Sequence, residues 1–335
     1  MEYQEIMSEF EYMGVDCYYD TLELSVLGHY LPSSLTSLKN CVNYIQDEEN
    51  FSKSNYDSEV YAITKALEDS EQLQADLNSI QDWCQIWLLK LNLLKCKVMR
   101  VGHSSIASEY VLWDNDSGEF VQLPEVDHEK DLGVWISSNL KPPLHCCKAA
   151  ASAMKVLSMI RRSFVNISED LFTFLYKTYV RPLLEYCSAI WSPYLAKDID
   201  VLEKVQMRAT RLIRGIGNLS YGQRLKSLGM YTLFSRRQRG DLIEVFKILN
   251  GFYNVKPNEF FTPAVSTNTR GHHMKLFKPH SRLNVRSNFF TQRVINLWNN
   301  LPKEIVSTNT VASFKAKLDK CWDSTGHGHE QRLTA

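Results

Sequence analysis

"KTYVRPLLEYCSAIWSPYL", residues 177–195, combines two signals that seldom share so short a stretch. Tyr179, Tyr186, Trp191 and Tyr194, with Tyr176 just ahead of them, supply enough aromatic area for a core. Lys177 and Arg181 stand in the same turns, and Pro182 and Pro193 interrupt the run. Pro182 suits the first turn of a helix, where its missing N–H costs nothing. The stretch reads as two helices meeting at Arg181–Pro182, with the aromatics mostly inward. Lys177 and Arg181 then become candidates for a surface that grips something negative.

Outward from this point the chain reads as helical, with helices expected at 143–163, 168–180, 183–191, 198–214, 221–228 and 233–250. Ser168-Glu169-Asp170 supplies an N-cap and early acids for the second, and "NLS", 218–220, does the same for the fifth. Beyond residue 252 a basic irregular section precedes two helices around "FFTQRVINLWNNLP" and "VASFKAKLDKCW", where Trp298 reads as core. The tail "TGHGHEQRLTA" carries no folding signal.

Ahead of the helices the period changes. Leu73, Leu77, Ile80, Cys84, Trp87 and Leu91 recur at spacings of 4, 3, 4, 3 and 4, one stripe of a long helix. "CKVMRVG", "EYVLWD", "EFVQL" and "KDLGVWIS" follow as short strands, with "NDSG", 115–118, as a hairpin turn. Asp114 and Asp116 read as turn acids, because the ligand positions of a calcium loop are missing. The first fifty residues suggest two strands and a helix, and "QDEENFSKSNYDSE", 46–59, a polar junction. The expected fold class is mainly α with a small antiparallel β element, an α+β fold.

The formal net charge is zero, but the charges are segregated. Residues 1–80 carry 3 Lys+Arg against 16 Asp+Glu, a balance of −13. Residues 141–251 carry 18 against 8, and residues 252–322 carry 11 against 3, together +18. A basic half of this kind projects its own field and fits a polyanionic partner. Lys204, Arg208 and Arg211 fall at i, i+4 and i+7 on one face of the 198–214 helix, with Arg214 following and only Glu203 tempering them. Arg236, Arg237 and Arg239 form a second cluster, and Arg161–Arg162 a third that also suits a helix C-terminus. Such stripes are commonly just solvated faces.

Eight cysteines without a C-x-x-C pair, and an acidic N-terminus without an apolar leader, suggest reduced thiols in an intracellular protein of nucleus or cytoplasm. No apolar run is long enough to span a membrane. His272–His273 and His327-x-His329 lack cysteines at metal-ligand spacing, so no metal is expected there. His145-Cys146-Cys147 does not suggest a Cys–His nucleophile, since adjacent helical residues point apart.

"LQADLNSIQDWCQIWLLKLNLLKCKVMRVGH" followed by "EKDLGVWISSNLK" resembles the segment after the active site of jockey-like LINE reverse transcriptases, from non-LTR retrotransposons. "KVLSMIRRSF", "FLYKTYVRPLLEYCSAIWSPY", "DIDVLEKVQMRATRLI" and "SYGQRLKSLGMYTL" resemble the thumb-side helices of that family. "RRQRGDLIEVFKILNG", "FFTQRVINLWNNLP" and "SFKAKLDKCW" resemble its C-terminal part, so the likeness runs from about residue 60 to 322. "CYYDTLELSVLGHYLPSSLTSLKNCVNYI" is similar to an interior piece of the endonuclease domain such elements carry upstream. The resemblance implies RNA-directed DNA polymerase activity with two Mg²⁺ ions in the intact enzyme. It also implies a thumb that holds nucleic acid by its backbone without reading sequence.

The departures decide the expectation. The family places two aspartates on a tight hairpin, F/Y-A-D-D, to hold its metal ions. This chain contains no Asp-Asp dipeptide, and the motif aligns with "SNYD", 54–57, leaving Asp57 as the only remnant of the pair. The fingers and the strand bearing the third carboxylate have no counterpart among the roughly fifty residues that precede it. Lys95 matches a lysine near the incoming nucleotide, and Leu132–Gly133 the centre of the primer-grip hairpin. Their plain readings are a strand-end lysine in solvent and a buried strand with a glycine bulge.

The expected organisation is an acidic segment over 1–53, a palm remnant over 54–140 and a thumb-like bundle over 141–251. A basic C-terminal region over 252–322 and a tail over 323–335 complete it. The expected function is a catalytically dead reverse-transcriptase fragment without cofactor that still binds nucleic acid non-specifically. The alternative is a helical interaction module or the product of a pseudogene with no selected role. The oligomeric state is left open.

Overall fold

The computed structural model describes residues 66–101, 108–164, 167–264 and 271–326. Asp57, the expected 1–53 segment and most of the tail lie outside them. The chain divides into two compact units between Gly133 and Val134, seven residues ahead of the boundary expected at 140.

The first unit is built on helix α1, Leu67–Ile86. Strands β1, Val111–Asp114, and β2, Glu119–Gln122, pair antiparallel, with Leu112 opposite Val121. Tyr110, Leu112 and Leu123 form its small core, with Leu73 and Leu77 of α1 packed against them. The stripe read from the sequence ends early, because α1 stops at Ile86 and Trp87 is 57% exposed. Gln74 and Gln81, one heptad apart, each close a reciprocal pair of hydrogen bonds on the free edge of β1. Gln74 takes the N–H of Val111 at 2.9 Å and donates to its carbonyl at 2.7 Å. Gln81 does the same for Trp113, accepting its N–H at 3.0 Å. Two glutamine amides thus stand in for the next strand of a sheet. The expected strand "CKVMRVG" shrinks to one bridge, Val98 with Glu125.

The turn acids behave as read. Asp114 Oδ1 accepts the N–H of Asp116 at 3.0 Å, and its Oδ2 accepts from Ser117 Oγ at 2.8 Å. The Asp116 N–H, foremost, holds the Asp114 carboxyl below its usual range. A second two-stranded sheet pairs β3, His128–Asp131, with β4, Val134–Ser137. Leu132 and Gly133 are its two-residue loop, both at positive φ (41° and 87°) as a type I′ turn requires. They make a hairpin loop, not a bulge.

The second unit is helical. Helices α2 (Pro143–Ser163), α3 (Glu169–Leu175), α4 (Arg181–Glu185) and α5 (Ser188–Trp191) are followed by α6 (Ala196–Thr210), α7 (Tyr221–Ser227) and α8 (Leu233–Leu249). After short α9 (Pro257–Phe260) and α10 (Asn284–Ser287) come α11 (Phe290–Asn299), α12 (Lys303–Val306) and α13 (Val311–Thr325). Caps fall where the sequence placed them: Ser168 Oγ accepts from Leu171 N at 3.3 Å, and Ser220 and Gln223 form a capping box. Both α11 and α13 pack on α8, so 252–322 shares one unit with the bundle expected over 141–251. Phe246 of α8, Phe314 of α13 and Trp298 of α11 stack at its centre, with ring centroids 4.4 and 6.1 Å apart.

The opening stretch differs from its reading in one respect. No break occurs at Arg181–Pro182; instead α3 runs through a π-helical turn, Tyr176–Val180, directly into α4. Phe172, Tyr176, Val180 and Leu184 are all buried at a spacing of four residues. In a regular α-helix that spacing drifts about 40° per step, roughly 120° over the row. The wider π turn takes up the drift, and its Arg181 N–H reaches back to the Tyr176 carbonyl. Pro182 is accommodated because the turn relieves the clash its ring would meet in a regular helix. The chain breaks later, at Cys187, whose φ is 51°.

Candidate nucleic-acid interface

Helix α6 separates its residues sharply. Leu202, Val205 and Ala209 are buried, while Lys204, Arg208 and, just past the helix, Arg211 and Arg214 are exposed. None of these four cations has an acidic partner among the described residues. Glu203, expected to temper them, faces the core. It accepts from the Tyr221 hydroxyl and from the Leu233 N–H at 3.1 Å, the first N–H of α8. Burial raises its carboxyl above the ordinary range.

The helix ends at Thr210, four residues short of the expected 214, and Arg224 of α7 meets that end. Arg224 is 2% exposed, donates to Thr210 Oγ1 at 3.0 Å and to the carbonyl of Leu219, and stands 3.4 Å from the Met207 carbonyl. A buried cation against the last turn satisfies carbonyls the helix leaves open. The stripe therefore sits on a fixed support. Beneath it Gln206, fully buried, accepts from Tyr176 Oη at 2.7 Å and donates to Tyr221 Oη at 2.8 Å and to the Tyr231 carbonyl at 3.0 Å.

The other candidates divide. Arg161 and Arg162 are exposed in the last turn of α2. Lys177 is exposed, and Arg181 and Arg236 both turn to Glu185: Arg236 spans both its oxygens, one at 2.9 Å, and Arg181 approaches at 3.6 Å. Burial opposes the charge on Arg236, and its bond to Glu185 more than offsets this, holding the guanidinium above its usual value. Burial, with Arg181 and Arg236 nearby, holds the Lys177 amine below its usual value. Arg237 is fully buried and leaves the surface altogether. Arg239 is clamped by Asp319 at 2.6 and 2.8 Å. Lys95 is exposed in a turn of the first unit.

Other chemistry finds little support. Among the described residues no group of His, Cys, Asp and Glu is arranged to hold a metal ion. His145 Nδ1 accepts the Trp135 N–H at 3.1 Å, and Cys146 is buried with its thiol pushed up to about 12 by burial. That pair has no nucleophilic geometry. His272 is bonded to the Trp298 carbonyl at 2.9 Å. An open pocket of about 400 Å³ is lined by Glu169, Asp170, Thr173, Phe174, Ser227 and Leu228, and its carboxylates would repel phosphate. No helix among the described residues is long and apolar enough to cross a membrane.

The sequence missed Gln206, Arg224 and the inward turn of Glu203. Their signal was present as polar residues on the apolar side of α6 and in the cap region of α7.

No protein-family model matches the chain. An uncharacterized protein from Caenorhabditis elegans is 26% identical over 139 residues, which is 41% of this chain and 67% of that protein. No solved structure matches.

Proposed function

We propose that this chain is a catalytically silent piece of a LINE-type reverse transcriptase whose helical unit holds nucleic acid by its phosphates. The observation that carries the reading is the α6 stripe: Lys204, Arg208, Arg211 and Arg214 exposed together, without acidic partners among the described residues, while Glu203 is withdrawn into the core. Four phosphate contacts release enough counterions for a log–log salt slope of about −3 to −4. Affinity should be micromolar or weaker at physiological salt, as for non-specific binding generally. Fluorescence anisotropy of RNA–DNA hybrid, duplex DNA and single-stranded probes over a salt series measures both. Reversing Arg208 and Arg211 to glutamate together should weaken binding to every sequence alike and flatten the slope by about two contacts. Binding no tighter than that of an unrelated protein of equal charge removes the proposal.

A further inference from the structure

The rod formed by α3, the π turn and α4 carries a second surface, apart from the α6 stripe. Its buried row, Phe172, Tyr176, Val180 and Leu184, fixes residues four apart as neighbours along one line of the rod. Two of the remaining rows are mostly apolar and open. One holds Phe174, Thr178, Pro182 and Tyr186, the other Tyr179 and Leu183 beyond the buried Leu175; Phe174, Tyr179 and Tyr186 are 57%, 53% and 47% exposed. Single exposed apolar residues are ordinary, but two adjacent rows are a surface.

The row on the other side of Phe174 and Tyr186 is cationic, with Lys177 and Arg181, and Arg236 joins it from α8. Arg181 and Arg236 share one carboxylate there, Glu185, both of whose oxygens accept from Arg236. Lys177 has no acidic partner among the described residues. The other acids of the rod, Glu169 and Asp170, lie at its far end in the first turn of α3.

We infer that this face is a platform for single-stranded nucleic acid, with Tyr179 and Tyr186 stacking on unpaired bases while Lys177 and the Arg181–Arg236 pair take the phosphates. Three cations against one carboxylate leave a net positive charge that selects an anionic occupant, and flat exposed rings select one with planar groups beside the charge. A single strand offers both at once. A duplex keeps its bases stacked inside and can use only the cations. An acidic peptide satisfies the cations and leaves the rings without a partner. Interruption of a helix by a π turn frequently marks a functional position, and here it lies under Tyr179.

The test uses the full chain with fluorescence anisotropy, comparing labelled oligothymidylate with a duplex of equal length. Tyr179→Ala should weaken oligothymidylate binding about 5- to 150-fold, the range for one lost base stack, and leave duplex binding and the salt slope unchanged. Tyr179→Trp should restore single-strand binding. Lys177→Glu should weaken both probes and flatten both slopes. Since Tyr179 is exposed, circular dichroism and melting should be unaffected. Equal loss on both probes, no loss on either, or loss of a self-association equilibrium in place of single-strand binding overturns the inference. The Arg208/Arg211 reversal on the same probes separates the two surfaces. If it alone weakens binding, the stripe stands and the platform falls. If only the rod variants do, the platform stands and the stripe falls. If the wild-type chain binds neither probe, both are overturned.

Discussion

Arg237 brings guanidinium donors into the second unit and meets no acceptor among the described residues, where Nε and both terminal nitrogens lack hydrogen-bond partners. The nearby carboxylates are engaged elsewhere, Glu203 by Tyr221 and Leu233, Asp241 by Arg293 at 2.8 Å, Glu185 by Arg236. Burial holds its pKa below the usual value, with Glu203 opposing. A buried charge satisfied only at a distance is costly, and an apolar residue of similar length often serves better by about 1–4 kcal/mol. Arg237→Met should leave stability unchanged or raise it by about 1–2 kcal/mol in urea melts, with nucleic-acid binding unaltered. A loss above about 3 kcal/mol would show that a tightly held partner satisfies the guanidinium. His145 gives a second expectation. Burial lowers its pKa from 6.5 to about 4. Between these values the unfolded chain takes a proton that the folded chain refuses, so the stability His145 contributes is complete above 6.5 and lost as pH falls toward 4. Glu203 and Asp241, raised by burial, slope the opposite way. Comparing the wild type with His145→Asn, which keeps an acceptor for the Trp135 N–H, isolates the His145 share. The variant should be less stable at neutral pH, with the deficit shrinking as the pH approaches 4. A constant deficit would show that His145 does not titrate in this window.

At the level of elements, much was legible because hydrophobic period and capping residues act locally. The bounds of α2, Pro143–Ser163, follow from Pro143 and the 143–163 apolar stripe, and Ser168 and Ser220 mark helix starts by their own oxygens. What stayed hidden depended on distant partners. Nothing near Gln74 and Gln81 says that a strand edge some thirty residues later needs two amides. Likewise, the four-residue rhythm of Phe172, Tyr176, Val180 and Leu184 could be read as an imperfect helix, and only packing turns it into a π turn. Glu203 looked like a surface acid because its partners, Tyr221 and Leu233, come from α7 and α8. Gln206 ties these elements together, and its removal is a direct measurement of their coupling. Gln206→Leu would strand the Tyr176 hydroxyl in the core and remove one donor from the part-buried Tyr231 carbonyl. The expected loss is about 1–3 kcal/mol at neutral pH, the cost of one buried orphan. A loss below about 0.5 kcal/mol would mean that water enters and the network does not hold α6 to α7 and α8.

On the scale of the whole chain, the basic half and the missing metal-binding pair make separate demands. Nucleic acid can be held by cations alone, because phosphate contacts require charge and donors but no particular reaction centre. Transferring a nucleotide requires more. Two Mg²⁺ ions must be fixed so that one activates the attacking hydroxyl and the other steadies the leaving pyrophosphate, and closely set carboxylates are needed to fix them. The sequence has no Asp-Asp dipeptide, and Tyr56 stands beside Asp57 where the resemblance calls for an aspartate. A tyrosine hydroxyl is neutral at physiological pH and cannot replace a carboxylate as a ligand for a hard divalent cation. The chain should therefore show no template-dependent primer extension on RNA or DNA with either Mg²⁺ or Mn²⁺, although it retains the same probes in a binding assay. Radiolabelled nucleotide incorporation, measured beside the anisotropy titration, makes the comparison within one preparation. Incorporation that follows the template and disappears in Asp57→Ala would show that a working metal site exists. Binding without incorporation would separate the grip from the chemistry.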